Sequence, residues 1–462
     1  MSDAPTSRSL NDSSSTNHAS PAVTVIPGGP VHGTIRPPGS KSLTNRALIC
    51  AAMAEGASKL TGALSSEDTE VMIEALRAIG VEINVTDGGQ TLLVDPAMRA
   101  RCDDEIAELF IANSGTSIRF LTAALSAFGG RYRLVGVPRM HARPIGDLVS
   151  AISEVIDGTI NAESTGGCPP VMIESHGWSG SSMSVAGNVS SQFLSGLMMA
   201  APLSLGSQNV APIELHVTGE LVSRPYIDMT ADVMESFGGR VVLDDLSSQG
   251  KVVIERRPYQ GTDYSIEPDA SAASYFWAIA AITGGEVTVE GLSPSAMQGD
   301  VGFVDVLEKM GCVVKRRSDS ITVLGQPLHG VDIDMNSISD TVQTLAVVAL
   351  FATGPTRVRG VAHNRFKETD RIGDLACELR KLGALVEEHS DGLTITPASD
   401  WRSHAGATLE TYHDHRMAMS LSLAGLKMRN VKILDPACTS KTYPEFFHDL
   451  ETLIGRSHHW AA

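Results

Sequence analysis

The chain has 462 residues, too many for one ordinary hydrophobic core, so two domains are the first expectation. Its composition is that of a globular protein, 42% hydrophobic and 19% charged, with no apolar run near the ~18 residues of a membrane span. A formal charge of −17 argues against nucleic acid or an anionic membrane as a partner, but a local basic cleft can still hold small anions.

In chain order, residues 1–21 are rich in Ser, Asn, Thr and Asp and read as a disordered tail without the apolar segment of a secretory signal. Cys50, Cys102, Cys168, Cys312, Cys377 and Cys438 are scattered with no C-x-x-C pair. That pattern fits a reduced cytoplasmic protein whose cysteines are mostly small core residues, and it offers no metal-ligand spacing.

Beyond the tail an internal repeat organises the sequence. Amphipathic stretches ending at Gly80, Gly158, Gly238, Gly311, Gly383 and Gly455 recur every 72 to 80 residues. Each Gly reads as the residue after a helix, where a left-handed backbone costs Gly little. A second series of small apolar runs opens at Lys41, Gly115, Ser190, Ala270, Asp340 and His415, spaced 70 to 80 residues apart. Ala47 to Ala52 and Tyr275 to Ala280 are apolar on every side, the pattern of buried helices. Alternating runs, Lys251 to Glu255 and Ser320 to Leu324, read as strands. The unit is thus an α/β repeat of about 75 residues, and six copies divide three plus three with a break near Pro258 to Pro268.

Each buried helix opens on polar residues: Ser40-Lys41-Ser42, Asn113-Ser114-Gly115-Thr116, Ser190-Ser191-Gln192, Asp269-Ala270-Ser271, Asp340-Thr341 and Asp414-His415-Arg416. Ordinary capping accounts for Asp269 and Ser271. Elsewhere hydroxyls, amides and cations gather at positive helix ends, which suit anions. If the helices of each domain run parallel, these ends all face the cleft between domains. Gly39-Ser40-Lys41-Ser42 lacks the glycine spacing of a phosphate-binding P-loop, and no G-x-G-x-x-G follows a strand.

Asn364 to Arg371 reads Asn-Arg-Phe-Lys-Glu-Thr-Asp-Arg, two carboxylates and three cations in eight residues. Alone it could be a solvated helix start. Together with Gly39 to Arg46, Asp414 to Met419 and Ser440-Lys441-Thr442, in that order, it resembles the 5-enolpyruvylshikimate-3-phosphate (EPSP) synthase family of enolpyruvyl transferases, from about Val23 to Leu450. The resemblance implies two similar domains, each of three βαβαββ units around buried parallel helices, an inside-out α/β barrel. It also implies a discontinuous second domain, residues 22–38 plus 268–462, around a first domain of residues 39–267.

The implied reaction moves the enolpyruvyl group of phosphoenolpyruvate to the 5-hydroxyl of shikimate 3-phosphate and releases phosphate. No metal or organic cofactor is implied, and the expected unit is a cytoplasmic monomer. By resemblance, Lys41, Gly115, Arg143, Gln192, Arg371, Arg416 and Lys441 hold phosphoenolpyruvate. Shikimate 3-phosphate falls to Ser42, Arg46, Ser190, Ser191, Gln192, Ser223, Tyr226, Asp340, His363 and Lys367. Asp340 and Glu368 become the proton-transfer pair, helped by Lys41 and Lys441, while His415 caps or orients. Taken alone, Asp340 reads as a helix cap and Tyr226 as a packing residue. Glyphosate, in the family, occupies the phosphoenolpyruvate site and extends toward the residue matching Gly115.

Two departures stand out. His363 takes the place of a substrate-binding Asn, and Phe120 replaces the usual Pro after Arg119. A UDP-N-acetylglucosamine enolpyruvyl transferase would carry a reactive Cys in the Val137 to Pro144 stretch, which has none. A catalytically inactive anion-binding paralogue is the other alternative, opposed by retention of Asp340, Glu368, Lys41 and Lys441.

Overall fold

The computed structural model describes residues 21–96, 105–204, 211–244 and 250–461. All but the last residue of the expected tail, and Cys102, lie outside them. Two hydrophobic cores divide the chain. One gathers residues from Leu43 to Ile266, the other Val23, Val25 and Val31 with residues from Ala270 to Leu450.

Six four-stranded sheets surround these cores, each joining one parallel pair to two antiparallel pairs. The sixfold repeat is therefore real at the level of topology, and it is completed by exchanged strands. His32–Ile35 pairs parallel with Glu286–Glu290, whereas Asp263–Ser265, over two hundred residues later, pairs parallel with Ser58–Thr61. Ala22–Val25 fills the gap in the last sheet between Val431–Leu434 and His459–Ala461.

The chain passes between the cores along two adjacent segments that meet at Gly39 and Pro268. Ser40 N–H donates to Glu267 C=O at 2.8 Å, and Asp269 N–H to Pro38 C=O at 2.8 Å. Gly39 is required here because a Cβ would overlap the Gly62 carbonyl oxygen, a backbone atom that cannot swing aside.

The helices expected to be buried are Lys41–Ala52, Gly115–Phe128, Ser191–Ala200, Ala270–Thr283, Val342–Ala349 and His415–Ser422. Every residue of Ala270–Thr283 is buried, as its uniformly apolar sequence requires. Truncating a core side chain such as Phe276 would cost about 3–5 kcal/mol. Five of the six expected glycines follow an outer helix with positive φ: Gly80, Gly238, Gly311, Gly383 and Gly455. Gly158 does not. Its helix stops at Ser153, and Gly158 lies within the strand Ile156–Ser164, opposite Ser175. A Cβ there would strike the Glu174 carbonyl oxygen, so close strand approach, not helix termination, calls for this Gly.

Candidate active site

Helix capping builds the floor of the site. Ser40, Ser114, Ser190, Asp269 and Asp414 each accept from a backbone N–H of the helix they precede. Asp269 does more than cap its own helix, since its second oxygen accepts from Lys41 N–H at 3.3 Å across the crossover. Ser271, expected as a cap, donates instead to the Asp300 carboxylate. Asp340 is not a cap either. It is the next-to-last residue of a 3-10 turn that ends at Thr341, and its carboxylate points at cations. His415 likewise leaves the capping to Asp414, and its buried ring has no hydrogen-bond partner.

These helix starts bring Lys41, Gly115, Gln192, Asp340, Lys367, Glu368, Arg371 and Arg416 around one cleft between the cores, with Asp68, Thr116, Arg143 and His415. Only about 30 Å³ of open space remains among them. Arg416 pairs with Asp340 at 2.7 Å, Lys441 with Glu368 at 2.9 Å, and Lys41 with Asp68 at 3.1 Å. Arg371 is 2% exposed and binds Asp414 at 2.7 Å and Glu368 at 2.9 Å. Arg143 Nη1 donates to the Asn113 carbonyl at 3.0 Å, as does Lys441 Nζ. Six cations (Lys41, Arg143, Lys367, Arg371, Arg416, Lys441) thus face four carboxylates (Asp68, Asp340, Glu368, Asp414), an excess that anionic ligands would neutralise.

Burial works against ionising Glu368, but Lys441, Arg371 and Arg143 override it and hold its carboxyl well below the usual range. Asp340 shows the same contest, won by Arg416, Lys367, Arg371 and Lys41. Both are therefore carboxylates. An anion that drew the cations away would raise their proton affinity again. Burial also pushes Lys367 down to about 8.

On the other wall, Tyr226 donates to Asp340 at 3.0 Å, so it is tied to the cleft and is more than packing. Ser223 holds a positive φ of 54°, and its hydroxyl lies 3.3 Å from His363 Nε2 and 3.2 Å from Ser339 Oγ. A non-glycine residue in that conformation is strained, and such strain collects at functional sites. His363 Nδ1, Arg119 Nε, Arg143 Nε and both His415 nitrogens are buried without partners, a concentration that points to a ligand-binding cleft.

The arrangement is a buried, cation-rich cleft suited to anions. Residues 25–450 match the family described as EPSP synthase (3-phosphoshikimate 1-carboxyvinyltransferase). The chain belongs to the EPSP synthase family. A 3-phosphoshikimate 1-carboxyvinyltransferase from Colwellia psychrerythraea is 44% identical over 93% of this chain and 98% of its own length. Its counterpart from a Marinomonas species is 42% identical over 94% and 99%. Among solved structures, the EPSP synthase of Acinetobacter baumannii superposes with a TM-score of 0.78 at 26% identity, covering 96% of this chain and all of that one. The enolpyruvyl transferase NikO from Streptomyces tendae shares the fold, with a TM-score of 0.73 at 19% identity over 96% and 99% of the two chains. The fold is the two-part inside-out α/β arrangement of EPSP synthases.

Within that frame some expected residues stand back from the cleft. Arg46 is 1% exposed, and its guanidinium donates to Thr230, Ser42, Ser195 and Tyr226 while lying over the Phe120 ring. Four of its five N–H donors are thus engaged within the protein, which leaves one, on Nη1, for a substrate. Phe120 therefore supports Arg46. Ser42 lies beside Tyr226 in a small neighbouring pocket, and Ser190 and Ser191 form the start of the helix that carries Gln192. Asn364 is fully buried and donates to the Ser339 carbonyl, which leaves His363 as the residue of that pair facing Ser223.

Sequence reasoning missed Asp68, Arg119, Arg139 and Asp300. Arg119 donates to the Gln192 side-chain oxygen and so aims that amide. Arg139 reaches across to the Lys367 and Glu368 carbonyls at 3.0 and 2.9 Å. Asp300 is buried, with burial and neighbouring Asp340 pushing its carboxyl up to about 7. Among the described residues no group of three or more His, Cys, Asp or Glu is placed to hold a metal ion, and no helix is long and apolar enough to cross a membrane.

Proposed function

We infer that this chain transfers the enolpyruvyl group of phosphoenolpyruvate to the 5-hydroxyl of shikimate 3-phosphate, as a 3-phosphoshikimate 1-carboxyvinyltransferase of aromatic amino-acid biosynthesis. The observation that carries this reading is the pair of ionised carboxylates, Asp340 and Glu368, bridged by the Arg371 guanidinium at 3.4 and 2.9 Å in one cation-rich cleft. The family match and the names of the full-length relatives agree with it.

The two carboxylates have different neighbours, and these assign their roles. Asp340 lies with Tyr226 and Lys367, on the side of Ser223 and His363. It takes the proton of the 5-hydroxyl as that oxygen attacks C2 of phosphoenolpyruvate. Glu368 lies among Lys441, Arg371 and Arg143, the cations assigned to phosphoenolpyruvate. Once phosphoenolpyruvate draws Lys441, Arg371 and Arg143 onto its own charges, Glu368 takes up a solvent proton and delivers it to the methylene carbon as the carbon–oxygen bond to the hydroxyl forms. Loss of phosphate and return of a methyl proton to Glu368 then restore the double bond in the product. Arg371, Arg143 and Lys441 hold the phosphate and carboxylate by charge-assisted bonds. Lys41 and Arg416 complete the phosphoenolpyruvate set.

The cores act as two domains, residues 39–267 and 22–38 plus 268–462, joined at the crossover. The unpaired thiols of the described cysteines suit the cytoplasm.

Phosphate release from phosphoenolpyruvate is the test, with shikimate 3-phosphate and UDP-N-acetylglucosamine offered separately as acceptors. Release with shikimate 3-phosphate alone is the expected result. Release only with the nucleotide sugar, or with neither, would overturn the reading.

A further inference from the structure

One short run of chain on the first core grips Glu368 at both ends. It follows the strand Gly130–Val135 and leads to Arg143 at the cleft. The run is well anchored. Met140 is buried, and its N–H donates to the Val137 carbonyl at 2.8 Å. Arg143 N–H then closes the 3-10 turn Met140–Ala142 on the Met140 carbonyl at 3.0 Å. From this base Arg139 reaches over to the second core. Its side chain is exposed, yet one edge of the guanidinium serves two consecutive carbonyls. Nε donates to Glu368 C=O at 2.9 Å and Nη2 to Lys367 C=O at 3.0 Å. No carboxylate pairs with Arg139 among the described residues, and it does not line the cleft.

The two carbonyls have need of such a donor. Lys367 and Glu368 lie between the 3-10 turn Ala362–Phe366 and the helix Gly373–Lys381, in neither helix nor strand. Among the described residues neither carbonyl accepts from a main-chain N–H. A rigid two-donor fork therefore supplies the partners that secondary structure does not. At the other end of Glu368, Arg143 Nη1 stands 4.0 Å from the carboxylate. The two holds respond differently to substrate. Arg143, Arg371 and Lys441 hold the carboxylate by charge, and phosphoenolpyruvate competes for those charges. Arg139 holds a carbonyl, whose lone pairs are unchanged when the carboxyl gains a proton.

We propose that Arg139 is a positioning residue for the transfer: its fork fixes the Lys367–Glu368 main chain while the Glu368 carboxyl leaves its cations, takes up a proton and delivers it to the methylene carbon. The role rests on the enolpyruvyl-transfer reading; the contact does not.

The test is steady-state phosphate release by the parent, Arg139→Gln, Arg139→Lys, Glu368→Gln and the double variant with Arg139→Gln and Glu368→Gln. Loss of the fork should lower kcat about 10- to 100-fold, the scale of an ångström-sized misplacement of a catalytic group. The KM for phosphoenolpyruvate should stay near the parental value, because its cations are untouched. That for shikimate 3-phosphate should rise, because the fork also holds Lys367. In the Glu368→Gln background, Arg139→Gln should change kcat by less than about twofold, since the group it positions is already gone. A general structural defect would cost the same in both backgrounds. Arg139→Lys keeps the charge without the planar fork and should recover only part of the loss. Parental kcat in Arg139→Gln, equal losses in the two backgrounds, or full recovery by Arg139→Lys would overturn the role. A parent that releases no phosphate would fault the enzymatic reading and the role with it.

Discussion

Adding one methyl group at Gly115 tests how the phosphoenolpyruvate end of the cleft is packed. A Cβ there would overlap Arg143 Nη2 and lie 2.8 Å from its Cζ and 3.0 Å from its Nη1. Arg143 is 4% exposed and anchored to the Asn113 carbonyl at 3.0 Å, so the guanidinium has to move within a packed site. Overpacking of this kind costs about 1–3 kcal/mol, or roughly a 5- to 150-fold loss of affinity for a ligand that needs Arg143 in place. Phosphoenolpyruvate should lose at the lower end, with KM raised about fivefold. Glyphosate is longer and, as the family resemblance implies, would extend toward this residue and meet the methyl as well as the displaced Arg143. Its inhibition constant should rise toward the upper end, about 100-fold. The assay is phosphate release by parent and Gly115→Ala across a grid of glyphosate and phosphoenolpyruvate concentrations. Equal inhibition constants in the two proteins would refute the steric argument.

The remaining expectations concern the acceptor side and the acid–base pair. Asp340→Ala and Glu368→Gln should each lower kcat by roughly 10²–10⁴, the usual worth of a positioned acid or base. Near-parental turnover in either, measured at saturating substrates, would remove that residue from the mechanism. His363 is held neutral, its ring pushed down to about 3 by burial with Lys367 nearby, so it offers a neutral hydrogen bond. His363→Ala should raise the KM for shikimate 3-phosphate and leave that for phosphoenolpyruvate nearly unchanged; equal shifts in both would contradict the assignment. Lys367 is a cation below about pH 8 and loses its proton above it. The KM for shikimate 3-phosphate should therefore climb as pH passes about 8, while Lys367→Arg, which keeps its charge, should flatten the rise. A parental profile with no such climb would count against Lys367 as a phosphate or hydroxyl ligand.

Much of this site was legible because its parts are local. A buried helix needs a cap, and the caps place cations and amides at helix starts, so Lys41, Gly115, Gln192 and Arg416 announce themselves by position. The sixfold spacing was legible for the same reason, since each unit repeats its own turn chemistry. Partners made by distant parts of the chain left no such mark. Asp68 lies on an outer helix and meets Lys41 only after folding. Arg139 finds its carbonyl partners more than two hundred residues away. Gly158 shows the converse failure: an amphipathic stretch followed by Gly imitates a helix end, but pairing with Ser175 claims the residue for a strand. Ser271 imitates a cap in the same way, and only Asp300, brought in by tertiary contact, shows where its hydroxyl goes.

The central claim is that Glu368 protonates the methylene carbon of phosphoenolpyruvate while Asp340 deprotonates the acceptor hydroxyl within one cleft. It is tested most directly by running the reaction in heavy water and following deuterium at that carbon by NMR, in the parent and in Glu368→Gln. The parent should place solvent deuterium in the methylene group of the enolpyruvyl product, because a methyl-bearing intermediate gains one hydron and returns another. Glu368→Gln should lose this labelling together with turnover, by roughly 10² or more. Product formed by the parent without deuterium, or labelling at the parental rate in Glu368→Gln, would contradict the account.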